Sequence, residues 1–205
     1  MKKIMLTFMV IVAGLSVTAL DINAQNKTQS KFQQDMDKWH KDMAEFRARS
    51  EQRRALSELT DSIAGVQAAA AVRNQDFVLE ANQVTFKNGA TVFVNSNTTF
   101  ISVKGNRAVV QISPSNFAAG PNGVGGVTVD GTISGMERMV NKKGNVTISF
   151  NVMGIGINAQ IEIYMTPGTN SASATIYPNF NSNTVWLQGN IVPYENSDIF
   201  EGNSL

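Results

Sequence analysis

Residues Val146 to Ile163 read VTISFNVMGIGINAQIEI, and the alternation within this stretch decides the fold. Val146, Ile148, Phe150 and Val152 alternate with Thr147, Ser149 and Asn151, which gives a strand one apolar and one polar face. After Met153-Gly154 the phase inverts, and Ile155, Ile157, Ala159, Ile161 and Ile163 become the apolar set. One continuous strand cannot invert its phase and still bury a single face. A two-residue turn at Met153-Gly154 resolves this by setting Val152 against Ile155, Phe150 against Ile157 and Ile148 against Ala159. Both arms then bury a common side. Gly154 supplies the positive φ that tight hairpin turns ask for.

The same period of two extends outward in both directions. From Asp76, Phe77, Leu79 and Ala81 alternate, and a slip to Val84 and Phe86 predicts a bulge. Asn88-Gly89 is a strong hairpin signal. Gly105-Asn106 is a second, and it sets Val103 against Ala108 and Ile101 against Val110. Residues 113–126, with two prolines and four glycines, are too long for a tight turn and read as a crossover or a loop at a barrel mouth. Val127 and Val129 resume the pattern, while Gly131 and Gly135 mark bends. A turn at 141–145 leaves either Met139 or Val140 facing Val146. Beyond the central hairpin, Thr166-Pro167-Gly168-Thr169 leads into Ala172, Ala174 and Ile176, and Val185, Leu187 and Ile191 form the last strand. The expected class is all-β: an antiparallel meander of about nine strands, closed as a lipocalin-like barrel or packed as a two-sheet sandwich. An N-terminal α-helical leader precedes it.

Four segments follow from this reading: an export signal over 1–24, the helical leader over 25–73, the β domain over 74–192 and a C-terminal arm over 193–205. Lys2 and Lys3 precede the apolar run Ile4–Leu20, and Ala24 offers a cleavage point, so the expected product is exported, periplasmic or secreted, and begins at Gln25. That run is short for a spanning helix, so no transmembrane span is expected in the mature chain. In the leader, Phe32, Met36, Trp39, Met43 and Phe46 recur at 4-3-4-3 spacing. A charged stretch follows, and a second stripe of Leu56, Leu59, Ile63 and Val66 starts roughly 80° round the helix from the first. Two stripes out of line suggest halves that pack on different things. In the arm, Ile199 and Phe200 are placed to cover a sheet edge.

The runs FVLEA (77–81), FVNSNTTFISVKGNRAVVQ (93–111), AGPNGVGGVTVDG (119–131), KKGNVTISFNVMGIG (142–156) and YPNFNSN (177–183) resemble DUF4251, an exported β-rich domain of unknown function from Gram-negative gut anaerobes. The resemblance covers nearly all of 74–192. It implies an exported β domain behind a charged helical leader and supplies no catalytic or binding residues.

Charge argues against nucleic acid. The chain carries 17 Lys and Arg against 16 Asp and Glu, whereas nucleic-acid binders concentrate a basic excess on one face. There is no cysteine and one histidine, His40, placed among leader charges, so neither a zinc site nor a Ser-His-Asp triad is expected. Asp76, Glu80, Asp130, Glu137, Glu162, Glu195 and Asp198 stand singly along strands and arm, with no spacing that predicts a shared site. The glycines of 120–126 lack the lysine of a phosphate-binding loop. No catalytic residue, cofactor or metal is expected.

What remains is binding. Ala108, Ile148, Phe150, Ile157, Ala159, Ile161, Ala172 and Ala174 form an inward set whose alanines leave room for an apolar or amphiphilic small molecule, or simply fit a tapering barrel. The alternative is an envelope scaffold or protein-interaction module that docks an envelope protein through Phe32, Met36, Trp39 and Met43.

Overall fold

The computed structural model describes residues 2–113, 126–154, 158–179 and 183–203, with side chains from Ser30 onward. One long helix, α1 (Lys2–Asn74), precedes β1 (Asp76–Phe86), β2 (Thr91–Phe93), β3 (Phe100–Lys104), β4 (Arg107–Ile112), β5 (Val127–Val140), β6 (Val146–Gly154), β7 (Asn158–Met165), β8 (Ser171–Pro178) and β9 (Val185–Pro193). A 3₁₀ turn, Tyr194–Asn196, opens the C-terminal arm. The chain divides into two compact units, Met1–Leu56 and Ser57–Leu205.

The strands form one antiparallel sheet in the order β2-β1-β3-β4-β5-β6-β7-β8-β9, and β1 also pairs with β9. That pairing closes the sheet into an eight-stranded barrel with β2 as an extra strand. β1 can serve three partners because it is long. Its first half faces β3, its second half faces β2, and β9 runs along its whole other side. The register slips between Ala81 and Gln83, the bulge that the sequence phase predicts. β4 pairs directly with β5, the next strand in sequence, and residues 114–125 between them lie outside the described residues. Val140, and not Met139, faces Val146.

The hairpin at Asn88-Gly89 forms with Gly89 at φ 83°, and Val103 faces Ala108 as expected. The central hairpin differs. β6 runs on to Gly154, and Val152 pairs with Ala159, Phe150 with Ile161, Ile148 with Ile163 and Val146 with Met165. Pairing therefore runs out to Met153 opposite Asn158, so Met153-Gly154 is not the turn, and residues 155–157, with Ile155 and Ile157 among them, lie outside the described residues. The cause is the strand on the other side. β5 pairs with β6 as far as Gly131 opposite Gly154, and a Cβ on Gly131 would come within 2.6 Å of the Met153 carbonyl group. A turn at Met153-Gly154 would forfeit that ladder. The register shift is four residues, an even number, so the buried face is unchanged.

The middle of the interior is filled. Phe77, Leu79, Ile101, Ile148, Phe150, Ile161, Ile163, Leu187 and Ile191 belong to one core cluster and are all but inaccessible. Exterior positions along β7 and β8 alternate with buried ones, and they carry the exposed Gln160, Glu162 and Ser173 and the half-buried Thr175. A polar outside and an apolar inside are the reverse of a membrane-spanning barrel. Among the described residues no helix is long and apolar enough to cross a membrane.

Residues 65–72 of α1 belong to the same compact unit and contribute to this core. Ala68, Ala71 and Val72 are buried in the main cluster. A Cβ on Gly65 would lie 2.8 Å from the Thr169 amide nitrogen, so the helix rests directly on the β7–β8 turn. Leu56, Leu59, Ile63 and Val66, the expected second stripe, are each 59–69% exposed. Small residues won the packed side because they let a helix approach backbone closely.

The arm covers a face, not an edge. Val78, Phe100 and Val109 point outward from β1, β3 and β4, yet they are buried under Val192, Tyr194 and Ile199. Phe200 contributes backbone, since its ring is 61% exposed. The buried Gln111 side chain ties the arm down. Its Nε2 donates to the carbonyl oxygens of Thr98 and Phe200 (both 2.9 Å), and its Oε1 accepts from the Gly202 amide (2.8 Å) and the Thr128 hydroxyl (3.1 Å). Gln111→Ala strands these partners in a buried site and is expected to lower unfolding free energy by about 2–3 kcal/mol in urea titration. Phe200→Ala should stay within about 0.5 kcal/mol of the parent.

Candidate functional site: an apolar pocket at one end of the barrel

Antiparallel strands bring alternate connections to opposite ends of the barrel. One end gathers the turns at 105–106, 141–145 and 166–170 and carries the last turns of α1. At the other end β4, β6 and β8 finish, at Ile112, Gly154 and Pro178, and β5, β7 and β9 begin, at Val127, Asn158 and Val185. An apolar pocket of about 190 Å³ lies at this second end, lined by Val110, Ile112, Val127, Val129, Val152, Ala159, Ile176, Pro178, Asn183 and Val185.

The pocket exists because inward-facing residues at this end are small or β-branched. Val152 faces Ala159 across β6 and β7, and Ala159 faces Pro178 across β7 and β8. Nearer the middle the same rows hold Phe150, Ile161 and Ile176, and the barrel closes. Among the lining residues none is ionisable; Asn183 is the polar exception. Such a wall suits shape-selected apolar contact.

Of the residues singled out from sequence, Ala159 lines this pocket. Ala108, Ile148, Phe150, Ile161, Ala172 and Ala174 are buried in the packed core instead. Ala172 and Ala174 share that core with Ala68, Ala71 and Val72 of α1. Val110, Ile112, Val127, Val129, Ile176 and Val185 also line it, and nothing in the sequence marks them as lining because β-branched residues at strand ends read as ordinary sheet residues. On the leader, Phe32 and Trp39 are more than half exposed, and Met36 and Met43 are partly so.

The ionisable groups of the β unit lie outside the pocket. Arg107 donates from Nε and Nη2 to the two Asp130 oxygens (2.9 and 2.8 Å) and from Nη2 to Glu201 (3.1 Å). The hydrogen bond with Asp130, seconded by Glu201, holds this guanidinium protonated beyond the ordinary arginine range. The Tyr194 phenol donates to Glu201 (3.2 Å) and is pushed above its usual range first by burial and then by the Glu201 charge. The Ser197 hydroxyl donates to Glu80 (2.6 Å). These groups fasten the arm. Glu137 and Glu162 both face Ser149, from opposite sides, and so stand two strands apart on the exterior. A second, more open and more polar cleft beside the end of α1 is lined in part by Gln67, Asn74, Asp76 and Glu195.

Comparison with known proteins agrees with this architecture. The model of a domain of unknown function, DUF4251, matches residues 61–191. The crystal structure of a DUF4251 family protein from Bacteroides eggerthii DSM 20697 is 50% identical in sequence with a TM-score of 0.62, over 70% of this chain and 96% of that one. No curated protein matches the chain. The matched region begins inside α1, at the turns that reach the barrel, and ends in β9: the chain belongs to the DUF4251 family.

Proposed function

We propose that the protein is an exported, non-enzymatic binding module that takes a small apolar group, the ring or short tail of an amphiphile, into the end of its barrel. The observation that carries this reading is the apolar pocket of about 190 Å³. An apolar cavity of ~150 Å³ accepts one benzene, whereas drug-sized ligands occupy roughly 300–1,000 Å³. The pocket therefore suits a single ring or a short acyl tail, with any polar head left at the rim near Asn183. Export is supported by Lys2, Lys3, the run Ile4–Leu20 and Ala24.

Titration of methyl-labelled protein with toluene tests the pocket. Selective shifts are expected at Val110, Val129, Ala159 and Ile176, together with a raised melting temperature. Ala159→Phe places a ring where the ligand would sit and is expected to weaken toluene binding at least tenfold without loss of stability, since filling a cavity commonly adds about 0.5–2 kcal/mol. Unshifted methyls at saturating toluene would reject the reading. Fractionation of the native host with N-terminal sequencing tests export, with Gln25 as the expected new terminus.

A further inference from the structure

The helical stripe at Phe32, Met36, Trp39, Met43 and Phe46 lies N-terminal to the family-matched region and finds no cover within its own unit: Phe32, Trp39 and Phe46 are 64%, 53% and 63% exposed. We infer that this stripe pairs with the same stripe of a second copy of the chain as a short parallel coiled coil. Its 4-3-4-3 spacing is that of a heptad seam, with Phe32, Trp39 and Phe46 at d and Met36 and Met43 at a. The flanking charges select both partner and direction. The e positions hold Gln33, His40 and Arg47, and the g positions hold Asp35 and Asp42. In a parallel pair each g faces the e five residues on in the other helix, which sets Asp35 against His40 and Asp42 against Arg47, and does so twice by symmetry. An antiparallel pair would oppose Asp35 to Asp42. Arg49, at the next g, is already engaged by Glu45 of its own helix at 3.1 Å and stays out of the seam. Two heptads fall short of the three or four that sustain a tight coiled coil, so the dimer is a weak one, populated at roughly 100 µM and above. This inference is independent of the pocket.

The chain contains no cysteine, so a single introduced thiol reports the pairing without background. The experiment uses the full chain lacking only the export segment. In a parallel seam the two copies of position 43 meet across the axis, within reach of a disulfide. Met43→Cys is expected to give a disulfide-linked dimer in glutathione buffer, whereas Glu45→Cys, on the outer side, does not. By sedimentation equilibrium the parent should shift from one to two chain masses with concentration. Asp42→Arg should weaken the dimer about tenfold, and adding Arg47→Asp should restore it to within about twofold. The melting temperature of the barrel serves as the folding control and should not change in any variant. A parent that stays monomeric to millimolar concentration, equal cross-linking at positions 43 and 45, or a double charge swap no better than the single one would each overturn the inference.

Discussion

Gly189→Val is expected to cost about 4 kcal/mol of unfolding free energy, enough to leave the barrel largely open at 37 °C. Gly189 sits in β9 between the inward-facing Leu187 and Ile191 and pairs with Ala81 on one side and Ala172 on the other. A Cβ there would collide with the Glu80 carbonyl oxygen and come within 2.8 Å of the Ala81 Cα. Those atoms are backbone, held at the bulge between Ala81 and Gln83, and cannot rotate aside as a side-chain end would. The only relief is to part β1 from β9, which is the pairing that closes the barrel. Gly89 gives the contrast: it has φ 83° with nothing within 4 Å of a built Cβ. Gly89→Ala should cost only about 1–2 kcal/mol, the strain of a left-handed conformation. Urea titration of both variants separates close approach from backbone conformation, and equal losses would refute the account.

The second large effect is expected at the centre of the interior. Phe150 is 1% exposed and faces Ile161 on β7. Removing its ring leaves a void that a closed barrel cannot collapse into, because the strands on both sides are fixed by their ladders. Phe150→Ala should therefore cost about 3–5 kcal/mol and lower the melting temperature by roughly 10 °C. Asn151→Ala, the adjacent residue on the exposed face, should stay within about 0.5 kcal/mol. If the two variants melted together, Phe150 would not be part of the packed interior.

Much of this was legible from residue order. The alternation of Val146 to Val152 and of Ala159 to Ile163 named the buried face correctly although the register differed, because an even shift in register preserves facing. Gly89 and Gly105 announced their hairpins, for a turn is a local event. The pocket was not legible, since Val110, Val129, Ile176 and Val185 meet only when distant strands close on one another. Nor was the role of the arm. Alternation puts Val78 and Val109 on the outward side of their strands, and that later residues would cover them there was set by Gln111 reaching Phe200 and Gly202.

Period and turn chemistry thus determined an antiparallel β domain with one apolar side and a helical leader with an apolar stripe. Only the tertiary structure decided that β1 meets β9, that small residues of α1 and not its leucines touch the barrel, and that the interior is filled at one end and hollow at the other. The physical reason is range. Side-chain alternation and turn geometry are properties of a few neighbouring residues, whereas closure and cavity depend on how far apart backbones can stand once every strand of the barrel has a partner on both sides.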